Sequence, residues 1–176
     1  MAVLSADRSR PQSPGEEELG WLAQGGAIPL GYLGDPGKTS RTFVTLGGRR
    51  LSIAGDRARL RADGRIEVYG REATTINTGG EKVFAEEVEK VIRGVPGVAD
   101  ALVVGRPSER WGQEIVAVVE LTTEVGDDDL RAACARHLAR YKIPKSFVRV
   151  ERAPRLPNGK ADYAAARAAT QRPAAT

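Results

Sequence analysis

Two charged residues stand where their side chains can act on a bound anion or nucleotide. Lys160 follows a Pro-Asn-Gly turn, and a lysine on a flexible stem is a mobile point charge suited to an anionic centre. Asp56 follows Gly55 at the end of an apolar segment, where a carboxylate can accept hydrogen bonds from both hydroxyls of a ribose. Most Gly-Lys pairs are exposed loop residues, and Asp also commonly ends a strand. Residue type alone therefore leaves a structural role open at both positions.

A third stretch, Gly79-Gly80-Glu81-Lys82, lies between a hairpin-like segment and an amphipathic helix. Adjacent glycines allow the backbone to adopt φ > 0 and to approach a ligand where a Cβ would clash. An ordinary loop before a helix needs only one glycine. The pattern predicts a backbone loop placed at a site.

The elements around these residues can be predicted from periodicity. Ranges 57–61 and 65–69 flank Asp63-Gly64, and Asp-Gly strongly indicates a tight hairpin turn. From Phe84 the apolar spacing becomes helical, with the polar face assigned to Glu86, Glu87, Glu89 and Lys90. Further strands are predicted at 42–47, 50–54, 98–104, 114–121 and 147–150. A second helix is predicted from Asp127, with N-cap and first-turn acids at residues 127–129 and its buried face running to Tyr141.

These elements predict an α+β fold with two to three helices on a small sheet. We divide the chain into a disordered or truncated entry (1–14), a β-rich end of a larger domain (15–71), a compact α+β domain (72–165) and a flexible tail (166–176). Range 31–36 is expected to be a turn-rich loop.

Composition excludes several classes of protein. The 176 residues are 41% hydrophobic and 28% charged, as in globular proteins, and no apolar run approaches the ~20 residues that span a bilayer. The net charge of +4 is scattered among 23 acids, so nucleic-acid binding is disfavoured. The chain has one cysteine, Cys134, and one histidine, His137, which disfavours a protein-only zinc site, and no metal ligand is assigned. A cytoplasmic location is expected.

Seven short stretches follow one another in a fixed order along residues 15–165. They are Gly31-Tyr32 with Asp35-Pro36 and Lys38-Thr39; Gly55-Asp56; Asp63-Gly64 through Gly70-Arg71; Gly79-Gly80-Glu81-Lys82 with Glu86-Glu87-Val88-Glu89; Trp111-Gly112; Tyr141-Lys142-Ile143-Pro144; and Pro157-Asn158-Gly159-Lys160. In this order they resemble the C-terminal portion of an adenylate-forming enzyme of the acyl-CoA synthetase (AMP-dependent synthetase and ligase) superfamily. The Gly-Gly-Glu-Lys-Val form is similar to that of fatty-acid CoA ligases.

The resemblance implies a role for each candidate residue. Lys160 would reach the substrate carboxylate and the α-phosphate of ATP during adenylation, and Asp56 and Arg71 would contact the nucleotide. Gly79, Gly80, Glu81 and Lys82 would line the CoA tunnel, whereas Trp111 and Gly112 are assigned to packing and a turn. For a full-length acid–thiol ligase, the resemblance implies ATP or AMP with Mg²⁺, together with coenzyme A. The implied substrate is a carboxylic acid, most simply a fatty acid.

Two departures from the family pattern qualify these roles. In the family, the pivot residue two positions after the arginine is commonly Asp or Lys, and here it is Ala73. A small residue still permits a hinge at this position, but it offers no polar side chain to control the rotation. The phosphate-binding loop and acyl pocket of the family's N-terminal domain have no counterpart here. We therefore expect a chain that is inactive and binds no cofactor stably alone, as a fragment, a split-gene product or a domain that works with a separate N-terminal adenylation domain. A non-catalytic nucleotide- or partner-binding module, and an adenylation domain of another subtype, remain alternatives.

Overall fold

The computed structural model describes residues 1–171, and the chain divides into two compact units on either side of the Ala73–Thr74 bond. The first unit contains β1 (Ala2–Leu4), β2 (Gly20–Ala23), α1 (Pro36–Thr42), β3 (Phe43–Leu46), β4 (Arg49–Ser52), β5 (Asp56–Leu60) and β6 (Ile66–Arg71). The second contains β7 (Thr75–Thr78), β8 (Glu81–Phe84), α2 (Ala85–Arg93), β9 (Val98–Ser108), β10 (Gly112–Leu121), α3 (Asp127–His137), β11 (Ser146–Val150) and α4 (Tyr163–Ala169). Two short 3₁₀ turns lie at Glu72–Thr74 and Arg140–Lys142.

The first unit is built on an antiparallel sheet in the order β1-β2-β5-β6, with β3 and β4 as a separate hairpin. Its small core contains Leu4, Ala23 and Ile53. The predicted disorder of residues 1–14 is wrong, because β1 pairs with β2 and buries Val3 and Leu4 completely. The segment is polar overall, and its strand has only three residues and forms by pairing with β2, so the local composition did not indicate it.

The loop predicted at 31–36 leads into a helix that the sequence pattern did not indicate. Asp35 caps α1 by accepting a hydrogen bond from the Lys38 amide, and Pro36 occupies the first helical position. The helix has seven residues, none of them buried, so it carries no apolar periodicity to detect.

The second unit packs helices on both faces of a five-stranded sheet, which confirms the predicted α+β class. In β9, Ala101 and Val103 join the core under α2 and α3, whereas Leu102 and Val104 join a second cluster with Ala166 of α4. Successive side chains of a strand point to opposite faces, so a sheet covered on both sides has a continuous apolar run.

Helix α2 differs from prediction at one residue, and helix α3 differs at its N-cap and at its C-terminal end. Glu89, assigned to the polar face of α2, is buried with 2% of its surface exposed. Its spacing from Ala85 and Ile92 places it on the inner face. Helix α3 is preceded by Gly126 as N-cap, and Asp127 is its first residue, so the aspartates act in the first turn only. Tyr141 lies beyond α3 and is exposed.

The structure continues past residue 165. The short capped helix α4 begins at Tyr163, runs across this boundary and buries Ala166, and Thr170 after it is also buried. The tail predicted for 166–176 thus starts inside a helix, and its last residues, 172–176, lie outside the described part. Among residues 1–171, no helix is long and apolar enough to cross a bilayer.

Candidate functional site

The two residues predicted to contact a nucleotide are cross-strand partners. Asp56 opens β5 directly opposite Arg71 at the end of β6, and a β-bulge after Arg57 sets this register. Without the bulge, Asp56 would face Gly70. The Arg71 Nε lies 3.4 Å from Asp56 Oδ1, and the two side chains are 59% and 26% exposed. The pair offers an acceptor and a cation side by side at an accessible sheet end.

The Gly79-Gly80 pair forms the two-residue turn of a β-hairpin rather than a loop leading directly into a helix. Thr78 in β7 pairs with Glu81 in β8, and the glycines adopt φ of +58° and +87°. Positive φ at both central residues characterises a type I′ turn, which favours glycine. Glu81 and Lys82 follow on β8 and are exposed.

Trp111 contacts this turn through both its backbone and its side chain. Its carbonyl accepts a hydrogen bond from the Gly79 amide at 2.9 Å, and a Cβ added at Gly79 would lie 3.0 Å from the indole ring. The guanidinium of Arg110 lies 4.7 Å from the ring centroid and the Lys145 ammonium 5.9 Å from it. The indole, 38% exposed, therefore packs against the turn backbone and lies beside two cations.

Lys160 lies at the end of a backbone-bonded turn, residues 156–160, which we name the Lys160 turn. The Leu156 amide donates to the Lys160 carbonyl and the Gly159 amide to the Leu156 carbonyl, both at 2.8 Å. The Lys160 amide donates to Asn158 Oδ1 at 3.1 Å, and Gly159 has φ of +79°. This geometry explains the Asn-Gly pair and leaves the Lys160 side chain exposed.

Side chains that flank the Lys160 turn on both sides connect it to the body of the unit, and no sequence motif assigns them a role. Arg155 forms paired hydrogen bonds with Asp100, at 2.9 Å from Nε and 2.8 Å from Nη2. Tyr163 packs against the core under α2, where its hydroxyl interacts with the Glu89 carboxylate, and burial raises the pKa of both side chains. The only sequence signal was the position of Glu89 on the apolar face of α2, with Arg155 and Tyr163 flanking the motif.

The candidate residues fall into both units. Asp56 and Arg71 belong to the first unit, and the Gly79-Gly80 turn and Lys160 to the second. Ala73, the residue predicted as a hinge, is the last residue of the first unit and lies exposed in a 3₁₀ turn.

Several other features carry no assigned chemistry. Among residues 1–171 no group of three or more His, Cys, Asp or Glu side chains could hold a metal ion, so none of these residues is assigned to Mg²⁺. Cys134 is buried, which raises the pKa of its thiol, and His137 is exposed at the end of α3. A groove of about 600 Å³ between α2 and α3 contains none of the predicted site residues.

Comparison with known proteins shows what the chain is similar to. Residues 87–160 match the family model of the AMP-binding enzyme C-terminal domain. The chain is 53% identical over 167 residues to the medium-chain acyl-CoA ligase Mig of Mycobacterium avium, covering 94% of this chain and 30% of that protein. It is 45% identical over 159 residues to the 3-oxocholest-4-en-26-oate–CoA ligase of Rhodococcus rhodochrous, covering 89% and 29% respectively. The chain thus spans about 30% of the length of these curated relatives.

A solved structure extends the similarity to the fold. The o-succinylbenzoate CoA synthetase MenE of Bacillus subtilis, in complex with the acyl-adenylate intermediate OSB-AMP, superposes with a TM-score of 0.80 at 28% identity. The match covers 92% of this chain and 32% of that one.

Proposed function

Residues 87–160 belong to the AMP-binding enzyme C-terminal domain family, and from this premise we propose that the chain supplies the C-terminal part of an ATP-dependent acyl-CoA ligase. In the first half-reaction a carboxylate attacks the α-phosphorus of ATP, which gives an acyl-adenylate and releases pyrophosphate. In the second, the thiol of coenzyme A attacks the acyl carbon, so that a thioester forms, AMP leaves and the thiol proton passes to solvent. A fatty acid is the substrate class suggested by the relatives.

Lys160 is the proposed catalytic residue of the first half-reaction. Its ammonium group, exposed on a turn whose backbone is fixed by three hydrogen bonds, is available to the carboxylate and the α-phosphate. A preorganised cation near developing negative charge stabilises the transition state, typically by about 3 kcal/mol for a single donor. This exposed lysine on an ordered turn is the observation that carries the proposal.

Asp56 and Arg71 are the proposed nucleotide contacts. Their cross-strand pairing places a carboxylate able to accept from ribose hydroxyls beside a guanidinium able to bind ribose or phosphate oxygens. The Gly79-Gly80 turn, with Glu81 and Lys82, is proposed to line the path of the CoA pantetheine in the second half-reaction. Bare backbone on an exposed hairpin tip allows a narrow chain to pass closely.

A hinge at Ala73 would let the second unit serve both half-reactions in turn. Support comes from the division of the chain directly after this residue. Alanine has a small side chain and can absorb a change of φ and ψ without losing a packed contact.

The test is a graft in which this chain replaces the matching segment of the M. avium ligase. The graft is expected to form acyl-CoA from a medium-chain fatty acid, ATP and CoA, with the natural ligase as positive control. The chain alone should release no AMP, because ATP and carboxylate are held within reacting distance by two domains.

A folded graft that binds ATP but forms neither adenylate nor thioester would favour the non-catalytic module instead. Steady AMP release by the chain alone would contradict the need for a second domain.

A further inference from the structure

We propose that a side-chain network on α2 and β9 is a positioning device for Lys160, because it holds the Lys160 turn from both ends. The network consists of Glu89 and Arg93 on α2 and Asp100 on β9. Its link to catalysis rests on the proposed function of Lys160, whereas its hold on the turn can be measured independently.

The N-terminal end of the turn is held by the pair of Arg155 with Asp100. Two parallel N–H···O bonds, at 2.8 and 2.9 Å, fix the plane of the guanidinium as well as its distance. The side chains are 35% and 20% exposed, so water screens this pair less than a fully exposed one. Since Arg155 directly precedes Leu156, the first residue of the turn is anchored through its neighbour.

The C-terminal end is held by Tyr163 and the start of α4. The half-buried Tyr163 packs against the apolar core under α2, and its hydroxyl interacts with the buried carboxylate of Glu89. Burial together with that carboxylate raises the pKa of the hydroxyl. Asp162 caps α4 by accepting from the amides of Ala164 and Ala165. The chain therefore leaves Lys160 and becomes bonded to the body of the unit within three residues.

Arg93 joins the two ends into one network. Its Nη1 lies 3.3 Å from Glu89 Oε2 and 3.7 Å from Asp100 Oδ1, and donates to the Ala101 carbonyl at 2.9 Å. Glu89 also accepts from the Val103 amide at 3.0 Å. Every member thus has several partners, which limits independent movement.

This arrangement matters for Lys160 because its own side chain is exposed. The reach of a flexible lysine is set by where its Cα is held, and the backbone of the turn sets that position. A displacement of about 1 Å can lower the rate of a positioned reaction by about 100-fold. The network therefore acts on catalysis through Lys160 without touching the substrate.

The first test measures amide hydrogen exchange in the full chain at Leu156, Gly159 and Lys160. Asp100→Asn and Tyr163→Phe each release one end. Asp128→Asn is the matched control, because the Asp128 side chain is fully exposed and pairs with Arg131 within α3. Each release variant should speed exchange in the turn by about tenfold, consistent with the strength of a charge-assisted bond, and the double variant by more. The control should leave the turn unchanged.

Exchange in both release variants within about twofold of the wild type, with β9 and β10 still protected, would overturn the proposal.

The second test separates positioning from general stability in the graft described above. Asp100→Asn should slow ATP–pyrophosphate exchange while thioester formation from supplied acyl-adenylate is retained. A general structural defect would lower both.

Two further outcomes are distinguishable. If Lys160→Ala itself leaves pyrophosphate exchange intact, the proposed function of Lys160 fails, and the hydrogen-exchange result still decides whether the network holds the turn. In the other outcome, Lys160→Ala abolishes pyrophosphate exchange, whereas Asp100→Asn loosens the turn without slowing that exchange. This result would refute the positioning role of the network.

Discussion

At the scale of single residues, the two glycines of the β7–β8 turn are required by the backbone as well as suited to a ligand. Both adopt positive φ, and Gly79 additionally lies against the indole of Trp111. The hairpin turn alone therefore explains why both residues are glycine. The proposed role in lining the path of CoA would depend on the same backbone conformation.

Gly79→Ala should destabilise the chain by about 1–2 kcal/mol, because a Cβ in this conformation is strained. The new methyl group would also lie 3.0 Å from the Trp111 ring. Gly80→Asn is the matched control, since Asn tolerates positive φ and no atom lies within 4 Å of a Cβ at Gly80. Urea unfolding measures both, and equal stabilities of the two variants would argue against the contact with Trp111.

Glu89 makes the stability of the chain depend on pH in a defined direction. Burial raises the pKa of its carboxyl, with Arg93 and Tyr163 opposing the shift and Glu86 adding to it. A folded-state pKa above the unfolded value of about 4.3 means a contribution fully present below about pH 4 and lost as pH rises through the folded pKa.

The stability difference between wild type and Glu89→Gln should therefore favour the wild type more at about pH 4 than at about pH 7. Gln keeps an acceptor for the Val103 amide, so the comparison isolates the charge. Urea midpoints at the two pH values provide the measurement, and a difference that does not change with pH would contradict the assignment.

At the scale of elements, the first turn of α3 is joined to β11 by charge. Asp127 bonds Arg149 of β11 and Arg131 one turn later in α3, while Gly126 leaves the N-cap without a side-chain acceptor. An acid in this turn also interacts favourably with the helix dipole.

Asp127→Ala should cost about 1 kcal/mol or less, since both arginines are more than one-third exposed and solvent screens the pairs. Asp128→Ala, a fully exposed first-turn control, should cost less because it lacks the link to β11. Thermal unfolding compares the two, and a larger loss for Asp128→Ala would show that the dipole, not the link, dominates.

Elements were predictable where the chain signals them locally. The strands of β9 and β10 and the helices α2 and α3 follow from long apolar patterns, and the β5–β6 hairpin from Asp63-Gly64. Strands β1, β7 and β8 have three or four residues each, and their formation depends on partners distant in sequence, such as Gly112 opposite Thr78. No local pattern reports such pairing.

The candidate site was predictable to a similar degree. Motif order located Lys160, Asp56 and Arg71, but the bulge that sets Asp56 opposite Arg71 has no sequence signature here. The network around Glu89 was missed because a charged residue was assigned to solvent by type. Its bonds to β9 and α4 arise only in the folded unit.

At the scale of the whole molecule, the chain consists of two units that share the candidate residues between them. The proposed nucleotide contacts lie before Ala73, and the proposed lysine and CoA-lining turn lie after it. This distribution is what a ligase with two half-reactions would use, because each step can then recruit a different surface of the second unit. Lys160 is therefore expected to serve adenylation specifically.

The most direct measurement is ATP–pyrophosphate exchange by the graft carrying Lys160→Ala, with Lys90→Ala as the matched exposed-lysine control. Lys160→Ala is expected to lower exchange by about 100-fold or more and Lys90→Ala to leave it unchanged, while thioester formation from supplied acyl-adenylate is largely retained. Exchange by the Lys160→Ala graft at the rate of the unmodified graft would contradict the proposed role of Lys160.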